Sequence, residues 1–317
     1  LDNNLKHSII LYGEKGIGKF TFIKYFICQL FNNFSLKVDL NYSNHTTLIQ
    51  NNSHPNVMII SRLTDDKNNK LKNSITIDQI RNIENYIYQS SLFDLPKIII
   101  IDSLDDLNIN AANSLLKILE EPKKNTFFFL VSHQPSKLLP TIKSRCIKFK
   151  FNKPNYTEFE KIILLNNLDS INEKEIKYLF HLTNGSPGVA LQYLLLDTSD
   201  IYVKTINIFK QNRSLNKNII EFSSELSNFD NDQFFIFLLI IKFIILNILK
   251  INLGIDIKNN ISIDLSNELY EISENLNHLT CIKTFDYLSE YENKLFTFNL
   301  DKKIFVINLF STILFRQ

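Results

Sequence analysis

Residues 8–31 read SIILYGEKGIGKFTFIKYFICQLF. Ser8–Tyr12 is short and apolar without alternation, the pattern of a strand buried on both faces. Gly13–Lys19 follows as a loop, and Phe20–Phe31 continues as a helix. In that setting the spacing Gly13-x-x-x-x-Gly18-Lys19 reads as a phosphate-binding loop. Gly13, Gly16 and Gly18 allow backbone N–H groups to turn inward, and the helix N-terminus adds a favourable dipole. Lys19 is placed to reach β/γ-phosphates. The next position, where a Ser or Thr hydroxyl holds Mg²⁺, is Phe20. Thr21 comes one residue later, and one helical step turns a side chain by about 100°, away from the metal. The loop therefore predicts the fold more strongly than a working Mg-nucleotide site. The plain alternative is a loop kept for its turn.

Outward from this stretch, strands and helices alternate. Asn56–Ser61 (NVMIIS) is a second buried strand, and Thr64–Ser74 is a polar surface loop. Thr76 and Gln79 form a capping box ahead of a helix with Ile77, Ile80, Ile83 and Ile87 on one face. Lys97–Ile101 (KIIII) is a fully buried strand that ends at Asp102. Asn110–Glu121 is a helix with Ala112, Leu115, Leu116 and Leu119 on one side, stopped by Pro122. Phe127–Val131 and Ile147–Phe151 complete the strands. The expected class is α/β: a P-loop core with a parallel sheet covered on both faces. Pro154 marks a boundary, short helices follow, and every periodic segment from Asp200 onward is helical. The domains are drawn as a core over 1–151, a small helical lid domain over 152–197 and a helical C-terminal domain over 198–317.

Asp102 stands where P-loop proteins place a carboxylate that organises the metal. The next residue is Ser103, not the Glu that polarises an attacking water. Asp105 and Asp106 read as helix-capping or solvated residues. The second glycine cluster, Asn184-Gly185-Ser186-Pro187-Gly188, reads as a left-handed helix end followed by an N-cap and a first-turn proline.

Composition narrows the class. The chain has 317 residues, 44% of them hydrophobic and 21% charged, and so buries a core. A net charge of +2 excludes a dedicated nucleic-acid coat but permits local phosphate contacts. Lys117, Lys123, Lys124, Lys143, Lys148 and Lys150 are candidates for such contacts, with a solvated face as the ordinary reading. Cys28, Cys146 and Cys281 are too few and too scattered for a disulfide framework or a thiolate zinc site, and fit a reducing cytoplasm. The six histidines lack ligand spacing. Phe234–Leu249 (FFIFLLIIKFIILNIL) is the most apolar run, but Lys242 and Asn247 favour a buried helix over a membrane span. No signal peptide is read. The chain opens on Leu1, not Met, which leaves open whether residues precede it.

Several segments together resemble the clamp-loader AAA+ proteins of DNA replication. They are Gly13–Lys19, Asp102–Asn108, the run AANSLLKILEEP over Ala111–Pro122, Leu130–Pro135, and LPTIKSRC over Leu139–Cys146. The resemblance is dense over residues 8–150, thin over 151–195, and beyond that rests on helical character alone. It implies an AAA+ core, a lid and a C-terminal collar domain. It also implies a cytoplasmic hetero-oligomer within a DNA polymerase III holoenzyme. The partners would be a gamma/tau-like ATPase and a delta-like subunit, with the sliding clamp and primer-template DNA reached through the complex, and no membrane.

By the same resemblance Arg145 is the arginine finger, a catalytic group that acts in trans on a neighbour's nucleotide; the plain alternative is that it only pairs with a surface carboxylate. Ser132 is a polar sensor, and Val189 replaces a phosphate-sensing arginine. His133, beside Ser132, is not expected to be catalytic. Gly13, Gly16, Gly18, Lys19, Thr21, Asp102 and Ser132 would make up a degenerate nucleotide site. No cofactor is required, and ATP or ADP binding stays open. Some relatives carry a four-cysteine zinc module after the first helix. Phe34–Pro55 contains no Cys, so no zinc is expected. With Phe20, Ser103 and Val189 all departing from the catalytic pattern, the expected role is a non-hydrolysing subunit. The alternatives are an active gamma/tau-like ATPase, a scaffold without nucleotide role, and a small-molecule P-loop kinase, for which neither lid nor acceptor site is found.

Overall fold

The computed structural model describes residues 7–37, 44–64, 71–72, 74–89, 95–166, 171–196, 199–210, 217–258, 261 and 263–314. Part of the expected surface loop at 64–74 lies outside them. The chain divides into two compact units, Leu1–Lys153 and Pro154–Gln317.

The first unit holds a five-stranded, wholly parallel sheet in the order β2-β3-β4-β1-β5. The strands are β1 (Ser8–Tyr12), β2 (Val57–Ile60), β3 (Lys97–Ile101), β4 (Thr126–Ser132) and β5 (Ile147–Lys150). Among the described residues, five helices flank it: α1 (Lys19–Lys37), α2 (His45–Gln50), α3 (Ile77–Tyr88), α4 (Ile109–Glu120) and α5 (Pro140–Arg145). The strand KIIII shows why an unbroken apolar run means a parallel sheet. Its Ile98 and Ile100 enter a core under α1 and α2, while Ile99 and Ile101 enter a second core with Ile80, Ile83, Leu115 and Ile142. On α1, Ile23, Ile27 and Phe31 recur every four residues and are fully buried. At the start of α3, the Gln79 side chain accepts from the Thr76 N–H at 3.1 Å, as the capping box requires. Asn108 caps α4 by accepting from the Ala111 N–H at 2.8 Å.

Helix α2 and the turn after it bring together two histidines nine residues apart in the sequence. His45 Nδ1 and His54 Nε2 lie 2.9 Å apart in the core, and Phe31 packs against both rings. The Asn56 N–H donates to His54 Nδ1 at 3.1 Å. The proton of a neutral His54 is therefore on Nε2 and is donated to His45. Burial lowers the pKa of both rings, that of His54 to about 4 with His45 as second cause.

The second unit is helical: α6 (Tyr156–Leu165), α7 (Glu173–Leu182), α8 (Pro187–Leu195), α9 (Ser199–Lys210), α10 (Lys217–Ser227), α11 (Asn231–Asn252), α12 (Ile263–Ser273), α13 (His278–Thr297) and α14 (Lys302–Leu314). Phe159, Ile163, Ile176, Leu179 and Ala190 make a small core among α6–α8. A larger core is built on α11. This helix is long and apolar enough to cross a membrane by length and composition, yet most of it is buried inside the protein. Its polar interruptions are satisfied. Lys242 Nζ meets Glu292 Oε2 at 2.5 Å, and the Asn247 amide donates to the Phe243 carbonyl at 2.8 Å. Asn184 and Gly185 take φ of 53° and 75° after α7, and Val189 is buried in the larger core.

Candidate functional site

The strand order sets the site. β1 lies between β4 and β5, so the C-terminal ends of β1, β3 and β4 share one edge, with Tyr12 beside Ser132 and Ile101 beside Leu130. In an open α/β sheet the crevice beyond these ends, where the order reverses, is the usual ligand position. Gly13–Lys19, Asp102 and Ser132 all emerge there.

The glycine loop is tightly seated. The Gly13 N–H donates to the Ser132 carbonyl at 3.2 Å, and the Phe151 N–H to the Tyr12 carbonyl at 2.7 Å. A Cβ on Gly13 would stand 2.4 Å from the Phe151 carbonyl oxygen, so that position admits no side chain. Glu14 pairs with Lys153 at 2.7 Å. Gly16 and Gly18 take φ of 78° and 91°, as the turn into α1 demands.

Lys19 is buried and folds onto its own loop, donating to the carbonyls of Gly13 at 2.7 Å and Glu14 at 2.5 Å. Burial lowers its pKa to about 8, against the opposing pull of Asp102, Asp105 and Glu14. Asp102 is half-buried. Burial and the charge of Asp106 raise its pKa, while Lys19, Lys15 and Arg62 restrain it. Phe20 packs partly into the core under α1, and Thr21 is exposed on that helix. Lys19 is thus engaged by the carbonyls of its own loop. The hydroxyl that would complete a Mg²⁺ site is not offered where the motif needs it.

Asp105, which the sequence presents as a capping or solvated residue, organises the site. It accepts the Ser132 hydroxyl at 3.0 Å, the His133 N–H, and the Gln134 N–H at 3.3 Å. Ser132, the expected sensor, thus has its proton committed to Asp105. Asp106 is not a free surface charge either. It pairs with Arg62 Nε at 3.2 Å and accepts from Ser103 Oγ at 3.3 Å. Burial raises the pKa of Asp106, and Arg62 opposes it. His133 is held neutral: burial first, then the cations Lys19, Lys15 and Arg62, push its pKa down to about 3. Two carboxylates within a few residues of a strand end are a faint signal, and nothing in the spacing says which one turns back under the β4 loop.

Arg145 stands apart from this crevice as the last residue of α5. Its Nη1 donates to the Thr141 carbonyl at 2.8 Å, and its Nη2 meets Glu120 Oε1 at 2.5 Å. The Arg145 side chain is one-third exposed and that of Glu120 about half. An ion pair this open to water adds about 0–1 kcal/mol to stability, so its consequence is geometric. Among the described residues no group of three or more His, Cys, Asp or Glu is placed to hold a metal ion.

Residues 1–155 match the family described as DNA polymerase III, delta subunit. The delta-prime subunit of DNA polymerase III from Pseudomonas aeruginosa is 34% identical over 143 residues, 45% of this chain and 42% of that protein. That from Haemophilus influenzae is 27% identical over 221 residues, 66% of this chain and 62% of that protein. The chain thus spans 42% and 62% of the length of these two relatives. A solved gamma-subunit-related protein of DNA polymerase III from Thermotoga maritima covers 93% of this chain and 94% of its own at 18% identity, with a TM-score of 0.37.

Proposed function

We propose, from the resemblance of its first unit to the delta-prime subunits of bacterial DNA polymerase III, that this chain is a clamp-loader subunit that does not hydrolyse ATP. It would lend Arg145 to the nucleotide site of an ATPase neighbour, in a complex that places a sliding clamp on primed DNA. We take residues 198–317 as the part that joins the collar of such a complex, and the setting as the cytoplasm.

The observation that carries the reading is the contrast between two places on one unit. At the phosphate loop the catalytic parts are missing or engaged. Phe20 lies against the core, Thr21 faces solvent, Ser103 follows Asp102, and Lys19 is held by its own loop carbonyls. At the end of α5 a partly exposed guanidinium keeps donors to spare. A permanently charged, forked donor suits phosphate oxygens supplied by another chain. A chain with this distribution donates to catalysis elsewhere and performs none itself.

The test is ATP turnover, stimulated by primed DNA and clamp, in a loader reconstituted with wild-type chain or Arg145→Ala. A loss of tenfold or more with assembly intact is expected. Unchanged turnover would leave the chain a scaffold. Turnover by the isolated chain, abolished by Lys19→Ala, would make it an ATPase.

A further inference from the structure

The geometry points to Glu120 as the positioning residue for Arg145: we propose that its carboxylate, at the end of α4, aims the guanidinium outward for use on another subunit's phosphate. The inference rests on the role given to Arg145 above.

The guanidinium is fixed at two nitrogens from two elements. Nη1 is tied to the Thr141 carbonyl within α5, and Nη2 to Glu120 Oε1 on α4. Two anchors on different nitrogens define the plane of the group, where one anchor would leave it free to swing on its long stem. The anchors hold their places because α4 and α5 share a core. Ile118 and Leu119, just before Glu120, are buried in one core with Ile142 and Cys146, which flank Arg145 in the chain. Of the five N–H donors of an arginine these contacts use two, which leaves three for phosphate oxygens. The pair is also accessible, with both side chains partly exposed. A pair meant only to brace α5 would gain little from so open a position. A group that must be ready to receive a phosphate at a set angle gains from it, because a small misplacement of a reacting or stabilising group costs rate steeply.

The experiment is a double-mutant cycle in the reconstituted loader with the full chain, reading kcat and KM for ATP under stimulation by primed DNA and clamp. Glu120→Ala is expected to lower kcat by about tenfold with KM little changed. Glu120→Gln keeps an acceptor oxygen at the same reach and should retain most of the rate. In the Arg145→Ala background, Glu120→Ala should cost nothing further, because its effect passes through the arginine. The inference is overturned if Glu120→Ala leaves kcat unchanged while Arg145→Ala lowers it. It is equally overturned if Glu120→Ala costs the same in both backgrounds, if it raises turnover (a carboxylate that restrains the arginine), or if it prevents assembly. Should Arg145→Ala itself have no effect, the functional reading fails first and this inference with it.

Discussion

Asp105 collects three donors with one carboxylate: a side-chain hydroxyl and two backbone N–H groups of the loop after β4. Asp105→Ala leaves them without their acceptor, and a buried donor left unmet costs about 1–3 kcal/mol. We expect a loss of about 2–3 kcal/mol, read as a lower midpoint of the first unit's urea transition at unchanged slope. Gly13→Ala should also destabilise, by about 1–3 kcal/mol, because its Cβ meets a backbone carbonyl that cannot swing aside. The His45–His54 pair sets a pH window. The unfolded chain takes up protons near pH 6.5, whereas His54 resists until about 4. The pair's contribution is therefore complete above about pH 6.5 and drains away as pH falls toward 4, at up to about 1.4 kcal/mol per unit for each ring. Urea midpoints at several pH values between 7 and 4.5 would show the decline, and a flat profile would contradict it. At this scale the sequence is legible unevenly. The glycine spacing and the Phe20 departure are local, and they are read directly. Asp105 depends on contacts with residues well along the chain, and the histidine pair on the turn that follows α2, and spacing encodes neither.

Elements were far more legible, for a reason visible in β3. A strand with both faces buried must be apolar at every position, and KIIII states that without help from its neighbours. β1 and β3 coincide with their sequence limits, and the other strands differ by a residue or so at the ends. The short α2 escaped notice because HTTLIQ offers too few turns for a periodicity and carries two β-branched threonines. Helix α11 is the instructive case, since its composition suits either a membrane or a protein core. Lys242 and Asn247 favour the second, and Glu292 on α13 supplies what the lysine needs. Removing either partner alone should therefore destabilise, by about 1–2 kcal/mol, and Lys242→Met should cost no less than Glu292→Ala because the carboxylate it strands is the less exposed partner. Replacing both with apolar residues should be neutral or slightly stabilising. Thermal melts of the single and double variants settle the order.

For the whole molecule, two units with separate cores predict unfolding that is not all-or-none. Calorimetry should resolve two transitions, or give a calorimetric enthalpy that exceeds the van't Hoff value. The Asp105→Ala change should move only the transition of the first unit. The sheet order has a consequence for synthesis on the ribosome. Ser8 pairs with Phe128, and Ile9 with Ile147, so of the five strands the first to be made sits in the interior of the sheet and its neighbours are made last. Until residues near 132 have left the exit tunnel, the apolar run SIILY has no partner strand, and its open edges are a template for pairing with other nascent chains. A chain built this way would depend on holding chaperones early, and slowing translation after residue 31 should lower its soluble yield more than slowing it after residue 155.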